Sequence, residues 1–420
     1  MKILFLTEMY SEGMGYSENF LPKAMARLGH EVHVVSSTAQ VYFNAPHYRK
    51  TYEPFLGPNI VQPGTKEIDG YLLHRLPLIL AGRISNKLPG MNVIMMKGLR
   101  ETIAHIHPDV INVFHLYSQT CYEAARVAQE LNTDRAGRVR FFTESHVHAS
   151  VFNMRNPRTW LKYHLLQFPR KLRFINSITV KHYAIAKDVA EISMRYFLVP
   201  PEKIEIESLG VDTDLFSPIA SAQDEQARRQ KRKALGFEDT DIVCIYTGRF
   251  TPDKNPLCLA QAVNYLHEKG TAYQHIKALF VGSGTQRDVE AIRAMKGCVV
   301  HPFVQVHELP ALYRAADIGV WPRQESTSQL DAAACGLPII ISNRTQVKER
   351  VDPCEGMPGR NGLLYEENNF VDLAEKILML SDPQVRKEMG RIGAQKVHML
   401  FSWDAIARKR EKDFQHSLET

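Results

Sequence analysis

Short apolar runs alternate with amphipathic, helix-like segments along almost the whole chain. In the first half, these runs predict strands at residues 2–7, 31–36, 110–114, 139–144 and 178–181. After an interruption, the second half repeats the pattern, with predicted strands at residues 242–247, 276–282, 299–304, 318–321 and 338–342. Strands separated by helices usually form parallel sheets, because each helix crosses over the sheet before the next strand begins. The sequence therefore predicts an α/β fold with two doubly wound, Rossmann-like parallel-sheet domains.

The length of the chain and the interruption together define the expected domains. A chain of 420 residues is long for one hydrophobic core, whereas two α/β domains of roughly 200 residues each would account for it. We place the N-terminal domain at residues 1–198 and the C-terminal domain at 199–400, and we expect a helix at 401–420 to pack back on the N-terminal domain. Ligands of open α/β sheets bind beyond the carboxyl ends of the strands. The expected site is therefore a cleft that both domains face.

Composition excludes several classes of protein. The hydrophobic fraction of 44% and the charged fraction of 23% are those of a globular protein. No run approaches the roughly 20 apolar residues of a membrane-spanning helix. The six cysteines lie far apart, without the paired spacing of a zinc site or a disulfide framework. A net charge of +6 is modest for this length and does not indicate nucleic-acid binding. We therefore expect a cytoplasmic protein.

A basic segment lies within the first half of the chain. Between residues 155 and 181, seven basic residues alternate with apolar ones. This mixture is compatible with peripheral binding to an anionic bilayer, at the inner face of a membrane. It is also found on ordinary solvated helices, so both interpretations stay open at this stage.

Basic and glycine residues follow two neighbouring strands of the predicted C-terminal domain. Gly248 and Arg249 come directly after one strand, and Lys254 lies in the loop beyond them. A guanidinium and an ammonium at a strand end can neutralise a diphosphate and stabilise it as it leaves. Gly282 and Gly284 follow the next strand, where glycines let a backbone approach a ligand closely. Each group alone is also compatible with a structural turn.

The segment 321–338 combines acidic, hydroxyl and small residues. A predicted strand ends at its first residue, and Glu325 then precedes the three hydroxyl residues Ser326, Thr327 and Ser328. Small residues follow, and a Gly-Leu-Pro turn leads into another strand. This pattern predicts a helix whose first turn offers backbone amides and hydroxyl groups to an anion. The alternative is a capping arrangement around Ser326 or Thr327 with no ligand.

Several short motifs resemble those of the family 4 retaining glycosyltransferases of the GT-B type, also called group 1. They lie at residues 29–32, 210–216, 248–249 with 254, 282–284, 315–317, 334–338 and 359–362. The resemblance covers nearly the whole chain, and its specificity comes from the order and spacing of the motifs together. It implies the GT-B fold, in which two Rossmann-like domains face a cleft that holds a nucleotide-diphosphate sugar.

The resemblance assigns roles to individual residues of the C-terminal domain. Arg249 and Lys254 match the pair that binds the donor diphosphate. Glu325 matches an acid that works near the donor sugar, and Asp331 matches the acid that holds the ribose hydroxyls. The amides of residues 326–328 would face the distal phosphate or the sugar. The family usually has seven residues between two glutamates, whereas five separate Glu325 from Asp331 in this sequence.

The resemblance also assigns a loop in the N-terminal domain. Residues 11–18 would close over the donor diphosphate, with Gly13 and Gly15 at the closest approach. A dinucleotide-binding fingerprint would look similar, but there is no third glycine at Glu18 and no acid at the end of the second strand. This argues against a nicotinamide-dependent enzyme.

A histidine follows the predicted strand at residues 139–144. His146 matches the active-site histidine of the family, and His148 is the alternative. Such a histidine could donate a hydrogen bond to the donor sugar or position the acceptor. A purely structural histidine remains the other interpretation, since the chain contains 17 histidines.

The expected function is transfer of a sugar from a nucleotide-diphosphate sugar to a hydroxyl group of a glycan or lipid-linked acceptor. By resemblance, the anomeric configuration is retained. We expect no cofactor and no metal, because the acidic pairs at 212–214 and 239–241 belong to a loop and to a strand start. Arg249 and Lys254 can supply the charge neutralisation that a metal would supply. The alternatives are a nucleotide-sugar epimerase of the same fold and a non-catalytic sugar-nucleotide-binding protein.

Overall fold

The computed structural model describes the chain except for residues 46, 82–92, 134–137, 150–151, 153–156, 158–168 and 324. Its contacts divide the chain into two compact units. The N-terminal unit comprises Met1–Ser208 together with Ile406–Thr420, and the C-terminal unit comprises Leu209–Ala405. Among the described residues, no helix is both long enough and apolar enough to cross a bilayer.

The N-terminal unit contains a sheet of eight strands in the order β10-β9-β8-β7-β1-β2-β4-β3. The strands are β1 Lys2–Leu6, β2 Glu31–Ser37, β3 Gly64–Ile68, β4 Tyr71–Leu76, β7 Val110–Val113, β8 Arg140–Ser145, β9 Thr179–Ala184 and β10 Ile204–Ile206. All neighbours pair in parallel except β3 and β4. A separate antiparallel pair is formed by β5 Leu78–Ala81 and β6 Val93–Met96.

Helices connect these strands. They are Ser17–Arg27, Tyr48–Thr51, Glu53–Leu56, Leu99–Ile106, Gln119–Thr133, Pro169–Ile178 and Lys187–Tyr196, with a short 3-10 turn at Pro201–Lys203. The last helix of the chain, Trp403–Glu419, has most of its length in this unit. The central strands β1 and β7 are almost completely buried, which explains why their residues are apolar apart from Lys2 and Asn112.

The C-terminal unit contains a six-stranded, all-parallel sheet in the order β13-β12-β11-β14-β15-β16. The strands are β11 Ile242–Phe250, β12 Ile276–Gly284, β13 Cys298–His301, β14 Ile318–Trp321, β15 Ile339–Ser342 and β16 Gly362–Tyr365. The helices are Ala222–Ala234, Leu257–Lys269, Gln286–Arg293, Leu309–Ala315, Ser328–Ala334, Phe370–Met379 and Pro383–Lys396. Short 3-10 turns lie at Thr271–Tyr273, Val306–Glu308 and Lys348–Arg350, and a π-helical turn lies at Val397–Phe401.

The predicted α/β class with two parallel-sheet domains is confirmed, with differences in detail. The apolar pattern of the sequence did not predict β3, β4, β5, β6, β10 or β16. The pattern also placed the ends of β11 and β12 too early, at residues 247 and 282, although β11 runs on through Gly248 and β12 runs on past Gly282. Those two glycines pair with each other inside the sheet, and pairing continues to Phe250 and Gly284.

Candidate functional site

Three of the predicted ligand-contacting glycines pack between β11 and β12. A Cβ atom on Gly282 would lie 1.9 Å from the carbonyl oxygen of Gly248, so no side chain fits there. A Cβ atom on Gly284 would lie 2.6 Å from the Cβ of Phe250. These glycines therefore have a structural reason to be present, and their contact with a donor stays a prediction.

Arg249 lies in β11, close to its carboxyl end, with an exposed side chain. Its guanidinium makes no hydrogen bond or ion pair with any residue that the structure describes, while its backbone pairs with Ser283 in the sheet and its carbonyl oxygen accepts from the Tyr246 hydroxyl at 2.8 Å. Lys254 follows in the loop, close enough for the charge of the Arg249 guanidinium to affect its pKa. Burial lowers the pKa of Lys254, the carboxylate of Asp253 opposes this, and the charge of Arg249 lowers the pKa further. Two cations therefore share one strand end.

Lys254 connects this strand end to the predicted acidic segment. Its Nζ donates a hydrogen bond to the carbonyl oxygen of Glu325 at 2.9 Å. The Glu325 carboxylate accepts from the hydroxyl of Thr345 at 3.1 Å and from the backbone N–H of Gln346 at 2.9 Å, both on Oε1. Within the C-terminal unit, the structure therefore brings Arg249, Lys254 and Glu325 together.

The hydroxyl residues precede a helix that begins at Ser328 and is only seven residues long. Thr327 occupies the N-cap position, but its side chain makes no capping hydrogen bond, so the capping alternative does not describe this turn. The hydroxyls of Ser326 and Ser328 lie 2.5 Å apart. Within the described chain, the backbone N–H groups of Ser326 and Thr327 donate to no other group. They are therefore accessible donors beside the cations.

Asp331 lies on the same short helix, with a partly accessible side chain. Its carboxyl group makes no hydrogen bond with any described residue. Burial raises its pKa to about 8, against the opposing charge of Arg350. A carboxyl group without a protein partner at this position can accept or donate hydrogen bonds to hydroxyl groups of a ligand.

In the N-terminal unit, His146 follows directly after β8 and is held by a buried carboxylate. Its Nε2 lies 2.9 Å from Oε1 of Glu144, whose side chain is only 1% exposed. Burial would lower the pKa of His146, but the hydrogen bond and the charge of Glu144 raise it. Glu144 in turn pairs with Arg410 of the last helix, and Arg410 Nε lies 2.6 Å from Glu207 Oε1. The imidazole therefore has a defined orientation.

The alternative histidine has a different partner. His148 Nδ1 lies 3.2 Å from both carboxylate oxygens of Asp188, which also accepts from the backbone N–H of Ala149 at 2.9 Å. This pairing ties the chain after β8 to the start of the helix Lys187–Tyr196. His148 is thus explained by local structure, whereas His146 is oriented by a buried network.

The predicted glycine loop follows β1 of the N-terminal unit. Gly13 is exposed and has a backbone φ of +75°, a left-handed conformation that favours glycine. Gly15 is exposed as well. Open space surrounds the position that a Cβ of Gly13 would take, so its glycine is required by backbone conformation. Whether these residues contact a donor stays a prediction.

A comparison with known families identifies the C-terminal unit. Residues 241–382 match the family described as "Glycosyl transferases group 1". These residues form a group 1 glycosyltransferase domain. The match begins just before β11 and extends past β16, so it includes Arg249, Lys254, Glu325 and Asp331. The predicted resemblance to group 1 glycosyltransferases is therefore confirmed.

Curated relatives of the chain are moderately similar to it in sequence. The chain is 27% identical over 215 residues to "Spore coat protein SA" of Bacillus subtilis, which is 47% of this chain and 55% of the relative. It is 27% identical over 240 residues to "D-inositol 3-phosphate glycosyltransferase" of Xylanimonas cellulosilytica, or 53% and 54% of the two chains. The chain spans about half the length of the curated relatives it matches.

Solved structures establish the fold of the whole chain. Sucrose-phosphate synthase from Thermosynechococcus elongatus superposes with a TM-score of 0.64 at 18% identity, covering 100% of this chain and 99% of that one. HepE from Anabaena, solved in complex with UDP-glucose, gives a TM-score of 0.63 at 16% identity, with 99% and 100% covered. These likenesses concern the fold alone and confirm the predicted GT-B class.

Arg350 is a residue of the group 1 domain that the sequence analysis missed. It lies in the 3-10 turn after β15 and is 5% exposed. Its Nη1 donates to the carbonyl oxygen of Ser326 at 2.6 Å and to Oε1 of Gln329 at 2.8 Å. Burial lowers its pKa, while the charges of Glu349, Glu325 and Asp331 act in the opposite direction. A single arginine in a polar segment gives no sequence signal of such burial.

The predicted acidic pairs have local roles beside the group 1 domain motifs. Oδ1 of Asp212 accepts from the backbone N–H groups of Asp214 and Leu215, at 3.1 and 3.3 Å, and so stabilises a turn. Asp241 accepts from the backbone N–H of Glu238 at 2.9 Å. The absence of a metal from the reaction stays a prediction.

The predicted basic segment at 155–181 falls partly outside the described residues. Arg155, Arg158 and Lys162 are among those not described. Of the described basic residues, Lys171 donates to Oε1 of Gln119 at 2.7 Å, and Lys181 pairs with Asp413 at 2.7 Å. Contact of this segment with a membrane stays a prediction.

Proposed function

We propose that this protein is a glycosyltransferase that moves a sugar from a nucleotide-diphosphate sugar to a hydroxyl group of a glycan or lipid-linked acceptor. We assign it to family 4, with retention of the anomeric configuration and without a metal. The observation that carries the proposal is the pair of cations at the end of β11, where Arg249 is exposed and has no partner among the described residues.

The cation pair fits a leaving diphosphate. An arginine can bind phosphate oxygens in a bidentate manner, and a second cation close by stabilises the charge that develops as the bond to the sugar breaks. Lys254 is already fixed to the backbone of Glu325 at 2.9 Å, so it loses little freedom when a ligand binds. The accessible amides of Ser326 and Thr327 add two uncharged donors beside it.

Two acids would contact the remainder of the donor. Asp331 offers a carboxyl group without a bonded partner among the described residues, as a ribose diol would require. Glu325 keeps its orientation through Thr345 and Gln346, which occupy only one of its two oxygens. This support is independent of the shortened spacing between the two acids, because the loop at 345–346 holds Glu325 in place.

His146 would hydrogen-bond the donor sugar or the acceptor hydroxyl. The raised pKa of His146, caused by Glu144, favours a protonated imidazole that donates on its free nitrogen. Retention with these groups implies attack by the acceptor on the same face of the sugar from which the diphosphate leaves. Determining the anomeric configuration of the product by NMR tests this part, and an inverted product would contradict it.

The nature of the donor and of the acceptor is proposed from relatives. One relative, from Escherichia coli, is named "UDP-Gal:alpha-D-GlcNAc-diphosphoundecaprenol alpha-1,3-galactosyltransferase" and is 24% identical over 228 residues. A UDP-sugar donor and a lipid-linked acceptor are the corresponding proposals here. Co-sedimentation with vesicles of anionic phospholipid tests the membrane part through residues 155–181. Binding that does not decrease with added salt would contradict an electrostatic contact.

The decisive experiment measures donor binding and turnover together. A thermal-shift panel of nucleotide sugars identifies the donor, because a ligand that binds the folded state raises the unfolding temperature. With that donor, Arg249→Ala is expected to lower kcat/KM by about 10²–10³-fold. Arg293→Ala is the matched control, since Arg293 is exposed at the far end of the helix Gln286–Arg293. Activity of Arg249→Ala equal to that of the control would refute the proposal.

The same experiment separates the alternative functions. Loss of activity in EDTA would contradict the proposed independence from a metal. An epimerase would release an isomerised sugar nucleotide without any acceptor. A binding protein would show the thermal shift with no transfer to an acceptor and no hydrolysis of the donor. Either outcome would replace the proposed transfer reaction.

A further inference from the structure

The N-terminal unit contains a cavity of about 450 Å³, to which Glu12 of the predicted glycine loop contributes but none of the individually assigned site residues does. It lies near the carboxyl ends of β2 and β4, beside the loop that follows β1. Its principal lining residues are Glu12, Gln40, Phe55, Leu56, Lys66 and Arg75. Arg75 pairs across β3 and β4 with Gly64, which has no side chain to fill the space in front of it.

Arg75 is the central feature of this cavity. It is 7% exposed, and its guanidinium lies over the ring of Tyr10, 5.2 Å from the centroid. Its Nη1 donates to the carbonyl oxygen of Tyr10 at 3.0 Å. No carboxylate of the described residues forms an ion pair with it. Burying a cation without a counterion is costly, so such a group is retained where an anion can bind.

The other charged residues of the lining do not neutralise Arg75. Glu12 is near enough to influence it electrostatically, but its carboxylate is bound to Lys66 Nζ at 2.8 Å. The lining therefore holds two basic residues and one acid. Phe55 contributes an apolar ring that is 50% exposed. An anionic group attached to a sugar ring or another partly apolar body would match both features.

We propose that this cavity binds a small molecule that carries a carboxylate or phosphate group, with Arg75 as the principal contact. If the proposed glycosyltransferase function is correct, this molecule is part of the acceptor. The assignment to the acceptor therefore rests on the proposed function. The sheet order places four strand spacings between β4 and β8. At about 4.8 Å each, an acceptor would extend roughly 19 Å between Arg75 and His146. That length corresponds to an oligosaccharide rather than a single sugar.

The test uses the full chain with inorganic phosphate, glucuronate and neutral glucose at constant ionic strength. We expect phosphate or glucuronate, but not glucose, to raise the unfolding temperature, and the tighter of the two identifies the anion class. Arg75→Gln is expected to weaken this binding at least about tenfold, because it removes a charge-assisted contact. An equal shift in wild type and Arg75→Gln, or no anion-dependent shift, would overturn the proposal.

A second variant keeps the test informative if Arg75→Gln does not fold. Glu12→Gln changes an exposed residue and removes the one acid of the lining, so we expect anion binding several-fold tighter than in wild type. Unchanged or weaker binding would count against the site. Arg249→Ala removes the proposed diphosphate contact, so it should leave glucuronate binding intact while it lowers kcat/KM for sugar transfer about 10²–10³-fold. Because the probes contain no nucleotide sugar, this site and the proposed transferase activity can fail separately.

Discussion

Arg410 in the N-terminal unit and Arg249 in the C-terminal unit have opposite electrostatic surroundings. Arg410 is 4% exposed, pairs with Glu144 and Glu207, and lies over the ring of Tyr183 at 4.1 Å. Arg249 is exposed and has no partner among the described residues. The first cation completes a buried network, whereas the second is available to a ligand.

The carboxyl groups of the two units differ in the same way. Burial would raise the pKa of Glu144, but the charge of Arg410 and the hydrogen bond of His146 lower it to about 2. Burial raises the pKa of Asp331 to about 8, because Arg350 opposes it only through its charge. Groups that a protein neutralises internally stabilise and orient the structure, and groups that it leaves unpaired in a site are those that ligands can use.

Removing the buried cation of the N-terminal unit should have the largest effect. Arg410→Ala is expected to lower the free energy of unfolding by about 3–5 kcal/mol, because it removes the buried cation that pairs with both Glu144 and Glu207. Chemical denaturation followed by circular dichroism measures this change. Lys409→Ala is the control. Because Lys409 pairs with Glu205 on the surface, this variant should lower the free energy of unfolding by less than about 1 kcal/mol. Equal losses in both variants would contradict the proposed role of burial.

The two candidate histidines should differ in activity. His146→Gln is expected to lower kcat about 10²-fold, because it removes a protonatable group that Glu144 orients. His148→Gln should change kcat by less than about threefold, since Asp188 holds that side chain for structural reasons. Steady-state kinetics with the identified donor measures both. If His148→Gln had the larger effect, the assignment of His146 would be wrong.

Strands that are buried on both faces could be predicted from the sequence alone. β1 and β7 are buried on both faces, so their mostly apolar residues identify them without any tertiary information. β3 reads Gly-Thr-Lys-Glu-Ile, and four of its five residues are exposed. Nothing in that pattern indicates a strand, because β3 forms only by pairing with β4. Edge strands of this kind depend on a partner that the local sequence does not specify.

The candidate site was predictable where its residues lie close to the end of a strand. Arg249 and Lys254 could be identified because a strand end is visible in the apolar pattern. Glu144 and Arg410 lie 266 residues apart, so their contact has no local signature. The same holds for Arg350, whose burial depends on how the turn after β15 packs against Ser326. Long-range charge pairing is therefore the part of this site that required the structure.

Asp331 should give the C-terminal unit a pH dependence opposite to that caused by Glu144. Its folded pKa of about 8 exceeds its ordinary value of 3.8, so the folded state binds more protons between these values. Stability should therefore fall as pH rises through this window, by up to about 1.4 kcal/mol per pH unit. Glu144, with a folded pKa of about 2 against an ordinary 4.5, contributes stability that is lost as pH falls through that range.

Denaturation at several pH values compares wild type with Asp331→Asn. In the asparagine variant, stability should decrease much less between about pH 5 and pH 8 than in wild type, because the side chain no longer ionises. Asp239→Asn is the matched control, since Asp239 is 61% exposed and its charge is solvated. A wild-type slope that persists in Asp331→Asn would show that another group is responsible.

Arg249→Ala should have the smallest effect on stability, although its effect on transfer is large. We expect the free energy of unfolding, measured without nucleotide sugar, to change by less than about 0.5 kcal/mol, because the exposed guanidinium supports no described contact. Arg293→Ala, measured in parallel, should behave alike. In the same assay Arg410→Ala should lower the free energy of unfolding by about 3–5 kcal/mol. The comparison would thus assign Arg249 to ligand binding and Arg410 to stability. A loss above about 1 kcal/mol in Arg249→Ala would mean that Arg249 also stabilises its own unit.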